Sequence, residues 1–179
     1  DTYTDLNEVY VSVSDPLDPG DPTTIDTNLV YVDDDWVGLG DGASVSPGVF
    51  IGYNAFPTIQ EGADAVTSGG LVNIAVGAYD EAPVVAKSLS LVGAAVSPPE
   101  AVVQPSTKPA GPIVDVLAGI PNVHIQNLEI NGFLISDLYT NTEWYRGIYF
   151  RSGSSGSVSG CRFSLTTELS FGLQQAPAI

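Results

Sequence analysis

The stretch NVHIQNLEINGF, residues 122–133, holds two short alternating runs set end to end. Val123 and Ile125 fall on one face of an extended chain with His124 on the other, and Leu128 and Ile130 repeat the pattern after an asparagine that suits a corner. The apolar pattern then returns. Val123, Leu128 and Ile130 recur as Val158, Phe163 and Leu165, each 35 positions later (158 − 123), and Ile113 recurs as Ile148 at the same distance. An apolar pattern repeated at a fixed distance marks a chain that stacks equivalent coils, each burying its inward face against its neighbours. A coil of about 20 to 29 residues is usual. The surplus is therefore placed in the polar stretch SDLYTNTEWY, residues 136–145, which is expected to leave the stack as a side loop.

Short apolar runs of the same kind fill the chain from Leu71 onward: LVNIAV, PVVA, SLSLVG, AVVQP, PIVDVLA, RGIYF and GSVSGCRFSL. Gly, Pro, Asn and Ser separate them, the pattern of many short strands with abrupt corners. Upstream, residues 28–32 form a further expected strand and residues 38–54 a long loop. In FPTIQEGADAVTSGG, residues 56–70, the period changes: Ile59, Ala63 and Val66 share one helical face, Pro57 suits a first turn and Gly69-Gly70 a stop. The reading divides the chain into an extended strand and linker over residues 1–29 and one β domain over residues 30–179, with a capping helix near 57–67.

Composition sets the outer bounds. The 179 residues are 44% hydrophobic and 15% charged, with 19 glycines and 13 prolines, which favours an all-β chain with frequent turns over disorder. Twenty-one acidic residues against five basic give a formal charge of −16, which repels phosphate backbones and anionic lipid surfaces. Nucleic-acid binding and membrane insertion are thereby disfavoured, and no apolar run reaches the roughly 20 residues needed to cross a bilayer. The absence of methionine suggests a processed product or a piece of a longer precursor, read as exported. The single cysteine, Cys161, excludes an intrachain disulfide and reads as a small buried apolar residue.

VYVDDDW (30–36), a glycine-rich loop, FPTIQEGADAV (56–66), GGLVNIAVGAYDE (69–81) and KSLSLVGA (87–94) follow one another in an order that resembles the opening of right-handed parallel β-helix domains of the pectin-lyase-like superfamily, as found on large secreted bacterial surface proteins. NVHIQNLEINGF and RGIYFRSGSSGSVSGCRF (146–163) resemble their inner coils. The resemblance implies a right-handed parallel β-helix of about three coils, with the helix as a cap over the first. Such openings occur on enzymes, adhesins and surface proteins alike, so activity has to be read from the side chains.

Enzymatic members of the superfamily bind Ca²⁺ or activate a substrate with clustered Asp and Arg on the outer face of successive coils. Under the 35-residue repeat, Asp115 falls beside Phe150, Val116 beside Arg151 and Asn127 beside Arg162, so no carboxylate–arginine cluster is expected and the chain reads as a non-enzyme. His124 has no second histidine with which to build a zinc site. Asp33, Asp34 and Asp35, with Asp41 across a glycine turn, offer carboxylates for calcium or are solvated turn acids, and the spacing matches no EF-hand loop. Asp15, Asp18 and Asp21 pose the same alternative. No other cofactor is expected. Tyr139, Trp144 and Tyr145 either stack on sugar rings or fold back on the wall.

These features point to an extracellular structural protein at the cell surface, a subunit of a self-assembling fibre. It would be joined head to tail to further copies by edge-strand pairing, with Val9, Val11 and Val13 donated from one side and Leu169, Phe171 and Leu173 at the other. A carbohydrate-binding or adhesin module that contacts surface polysaccharide, and a truncated polysaccharide lyase or esterase, are the alternatives.

Overall fold

The computed structural model describes residues 26–94, 98–132 and 146–164. These residues are strand-rich, and three of their four sheets are parallel throughout. The strands are β1 (Leu29–Val32), β2 (Ser44–Ser46), β3 (Val49–Phe50), β4 (Ala55–Phe56), β5 (Leu71–Ile74), β6 (Gly77–Tyr79), β7 (Val84–Val85), β8 (Leu89–Gly93), β9 (Ala101–Val103), β10 (Val114–Val116), β11 (Val123–Gln126), β12 (Leu128–Asn131), β13 (Ile148–Phe150), β14 (Gly156–Ser159) and β15 (Arg162–Ser164). Among the described residues there is one α-helix, α1, spanning Ile59–Ala65.

The first sheet runs β14-β11-β8-β5-β1-β4, the second β15-β12-β9-β6 and the third β13-β10-β7. Each successive set, β5–β6–β7, β8–β9–β10 and β11–β12–β13, gives one strand to each sheet, and β14–β15 begins a fourth. We call each set a rung. Inward residues of all three sheets meet in one core. Val72, Leu91, Val103, Val116, Val123, Ile125, Leu128 and Ile130 are each fully buried. No antiparallel pairing occurs among the described residues of 113–164.

One corner shows how sequence sets this geometry. Asn127 takes a left-handed conformation, φ 56°, a region that asparagine enters more readily than most side chains. That single residue lets the buried positions pass from 123 and 125 to 128 and 130 without a loop. The corner is stacked: a Cβ on Gly93 would lie 2.1 Å from the Asn127 carbonyl oxygen, and one on Gly160 2.3 Å from Asn127 Oδ1. Glycine is favoured at 93 because the backbones touch there, and at 160 because its φ of 63° is left-handed and the Asn127 side chain fills the space of a Cβ.

Helix α1 starts where Thr58 Oγ1 accepts from Glu61 N–H (3.2 Å) and donates to Glu61 Oε2 (2.9 Å), a reciprocal N-terminal cap. Pro57 thus precedes the helix rather than sitting in its first turn. Ile59, Ala63 and Val66 are buried as their spacing implies. Gly62 lets the helix lie close on the sheet, since a Cβ there would meet Val32 Cγ2 at 2.5 Å.

Three expectations are corrected. Residues 38–54 are not simply loop, because β2 and β3 form an antiparallel pair that leads into β4. The repeat is 33 residues along β11–β14 (156 − 123) and β12–β15, and 34 along β10–β13. Along the first two pairs matching apolar letters selected 35 because a two-residue slip keeps every side chain on its own face and changes only its partner, while Ile148, matched to Ile113 in the sequence, pairs with Val114. Phe163, expected to be buried, is 49% exposed, and Val158 and Cys161 are half-buried. These three belong to the fourth rung, which has no described rung on its far side. Leu165 lies outside the described residues.

Candidate functional site

The acidic turn after β1 is first of all a fastening. Asp33 caps the 3₁₀ turn Asp34–Trp36 by accepting from Asp35 N–H with Oδ1 (3.0 Å). Asp34 Oδ2 accepts from Ala78 N–H of β6 (3.0 Å). Carboxylate oxygens of Asp33, Asp34 and Asp35 lie within 4.8 Å of one another, so the three could share a cation through their remaining lone pairs. Asp41 is placed elsewhere, its carboxylate against Gly52. Tyr79, buried beneath this turn, donates toward Val32 O (3.3 Å) and Ala75 O (3.0 Å). Burial, then the charges of Asp34 and Asp33, hold its phenol far above its ordinary titration range.

Helix α1 fastens the third sheet. Gln60 Oε1 accepts from Val84 N–H (2.7 Å) and Gln60 Nε2 donates to Val84 O (3.2 Å). Glu81 in turn accepts from the N–H groups of Ile59 (2.6 Å) and Gln60 (2.8 Å) at the helix start. Burial outweighs these two bonds and raises the Glu81 pKa above the usual carboxylate range. Lys87 Nζ closes the other helix end on Asp64 O (2.7 Å) and Val66 O (3.0 Å).

The outer wall carries polar pairs between successive rungs, Asp115–Arg151 between the second and third and Glu129–Arg162 between the third and fourth. Arg151 forks onto Asp115, Nε to Oδ1 at 2.9 Å and Nη2 to Oδ2 at 2.7 Å. That pairing raises the Arg151 pKa further, chiefly through its hydrogen bonds to Asp115. Arg162 donates to Glu129 Oε2 through Nε (2.9 Å) and Nη2. Glu129 and Asp115 are only 4% and 7% exposed, whereas both arginines present about half their side-chain surface to solvent. On the first sheet His124 Nδ1 meets Ser157 Oγ at 2.8 Å.

The expectation that no carboxylate–arginine pair stacks on the outer face is therefore overturned. The 33-residue register sets Glu129 opposite Arg162, and Asp115, opposite Tyr149, is reached by Arg151 from two residues further on. The corrected offset was the signal that would have found Glu129–Arg162, whereas Asp115–Arg151 is a diagonal contact two residues off register. For Gln60 and Glu81 no sequence signal exists, because their partners lie 24 and 21 to 22 residues away across unrelated elements.

The remaining candidates among the described residues do not converge on one another. Burial raises the Cys161 thiol pKa, which disfavours the thiolate, and Sγ faces Ile125 O and Ser159 O. A cleft of about 290 Å³ beside β1 is lined by Asp26, Leu29, Tyr31, Pro47, Gly48, Val49 and Asn54. Asn54, the buried polar group there, is already engaged, accepting from Phe50 N–H and donating to Gly48 O. Asp15, Asp18, Asp21, Val9, Val11, Val13, Tyr139, Trp144, Tyr145, Leu169, Phe171 and Leu173 lie outside the described residues. Compared with protein-family models, with curated proteins and with solved structures, the chain finds no match.

Proposed function

We propose that the chain is a right-handed parallel β-helix of the pectin-lyase-like kind that serves as an extracellular structural module, a stalk or fibre subunit rather than an enzyme. The parallel pairing of one strand per rung in each of three sheets supports the fold. The observation that carries the functional reading is the ladder on the outer wall. Asp115, Glu129, Arg151 and Arg162 are spent on one another across rungs, which ties the stack together and leaves neither carboxylate open to a substrate. An enzyme of this architecture needs such groups free and facing a groove.

The ladder also favours a second reading. Carboxylates and arginines on the outer faces of adjacent rungs are the materials of a polysaccharide lyase, and substrate could displace Arg151 from Asp115. The two readings separate in one assay. The chain, incubated with pectin and polygalacturonate with and without Ca²⁺, is expected to release no unsaturated or de-esterified product. Product that disappears in Arg151→Ala would overturn the structural reading. Electron microscopy and sedimentation of the same sample report whether the chain forms fibres.

A further inference from the structure

In a parallel strand, alternate residues turn their N–H and C=O to opposite neighbours. Pro83 and Val85 give their carbonyls to Asp115 N–H and Leu117 N–H on the β10 side, so Val84 is the residue of β7 that faces outward. Both of its backbone groups are taken by Gln60, whose side-chain amide offers one donor and one acceptor just as a peptide group does. On β6, Gly77 N–H goes to Glu100 O of the neighbouring rung, and the outward N–H of Ala78 is taken by Asp34. On β1, Tyr31 N–H and Asp33 N–H are taken by Asn54 O and Phe56 O at β4, which is itself bridged to Ile51. Three sheets thus end in three different fastenings at the same end of the stack.

We infer that this end is closed to strand addition by a second copy, with Gln60 standing in for the missing strand at β7 and Asp34 at β6. An open sheet edge is a template for another chain, and a side chain that saturates it removes the template. The edge pairing expected from sequence needs an open edge at both ends. The inference rests on the sheet edges and not on the fibre reading.

The test compares the full chain with Gln60→Met, which keeps the stem and removes the amide, and with Asp34→Ala. Backbone amide exchange and sedimentation are followed over a concentration series. In dilute Gln60→Met the Val84 amide should exchange about tenfold faster than in the parent, the loss of one hydrogen bond. As concentration rises, its protection should return while the average mass climbs beyond that of the parent. Asp34→Ala should do the same at Ala78, and decides the matter should Gln60→Met fail to fold. Folded variants whose mass matches the parent throughout would overturn the inference. So would protection of Val84 or Ala78 in the parent that grows with concentration, a result that needs no variant. Fibres that the parent builds by contacts other than strand pairing at this end would leave both amides unchanged, so the fibre reading and this inference are tested separately.

Discussion

Removing the two partners of the Glu129–Arg162 pair one at a time should give unequal losses. Glu129 exposes 5% of its side chain and Arg162 52%. In Arg162→Met the carboxylate stays in its place, and its remaining polar neighbour among the described contacts is Asn131 Nδ2 at a long 3.4 Å. An uncompensated buried charge costs about 3 kcal/mol or more. In Glu129→Gln the volume is kept, the guanidinium turns to water, and the loss falls to about 1 kcal/mol, as for a half-exposed pair. Replacing both residues with methionine removes the charge and its desolvation together and should come within about 1 kcal/mol of the parent. Urea unfolding followed by circular dichroism at one pH and salt concentration measures all four proteins. If Glu129→Gln proves the more damaging single change, or Arg162→Met costs under about 1 kcal/mol, the buried-carboxylate reasoning fails.

Gly62→Ala should destabilise although alanine is the better helix former by about 1 kcal/mol. The added methyl meets Val32 Cγ2 at 2.5 Å and Val72 Cγ1 at 3.2 Å, an overpacking cost of about 1–3 kcal/mol, and a raised melting temperature would refute the close-approach account. Glu81, with its pKa raised by burial, contributes stability that is complete below its unfolded value of about 4.3 and is lost as pH climbs through the folded value. An NMR titration of its side-chain carboxyl should show a midpoint above the ordinary carboxylate value, and a midpoint at or below it would contradict the burial argument. Calcium should bind Asp33–Asp35 only weakly, at about 10⁻⁴–10⁻³ M, because Asp33 Oδ1 and Asp34 Oδ2 are already committed to backbone N–H groups. Calorimetry that finds submicromolar affinity would show that those bonds are given up.

The parallel architecture was legible because burial writes itself into short alternating runs. Val123, Ile125, Leu128 and Ile130 are buried as their spacing implies, and so is the face Ile59–Ala63–Val66 of the helix. Register was less legible, since a slip of two preserves the hydrophobic pattern and only hydrogen bonding tells Ser157 from Ser159 as the partner of His124. Spacing between rungs also varies, with Val72 pairing to Leu91 and Leu89 to Val123, so no single offset describes the chain. The acidic turn raised a metal question in the sequence, and the structure adds a fastening role that depends on Ala78, 44 residues away. Gln60 and Asp34 look like ordinary surface residues until the edges they cover are known.

The stacking register underlies both the structural reading and the ion-pair ladder, and paired cysteines test it most directly. In a Cys161→Ser background, His124→Cys is combined with Ser157→Cys in one protein and with Ser159→Cys in another. Residues directly opposite on adjacent strands lie about 4.8 Å apart, within disulfide range, while a partner two residues further along lies about 8 Å away and outside it. Mild oxidation should close the 124–157 pair rapidly and leave the 124–159 pair reduced. Preferential closure of 124–159 would restore the 35-residue repeat, separate Glu129 from Arg162 and contradict the account.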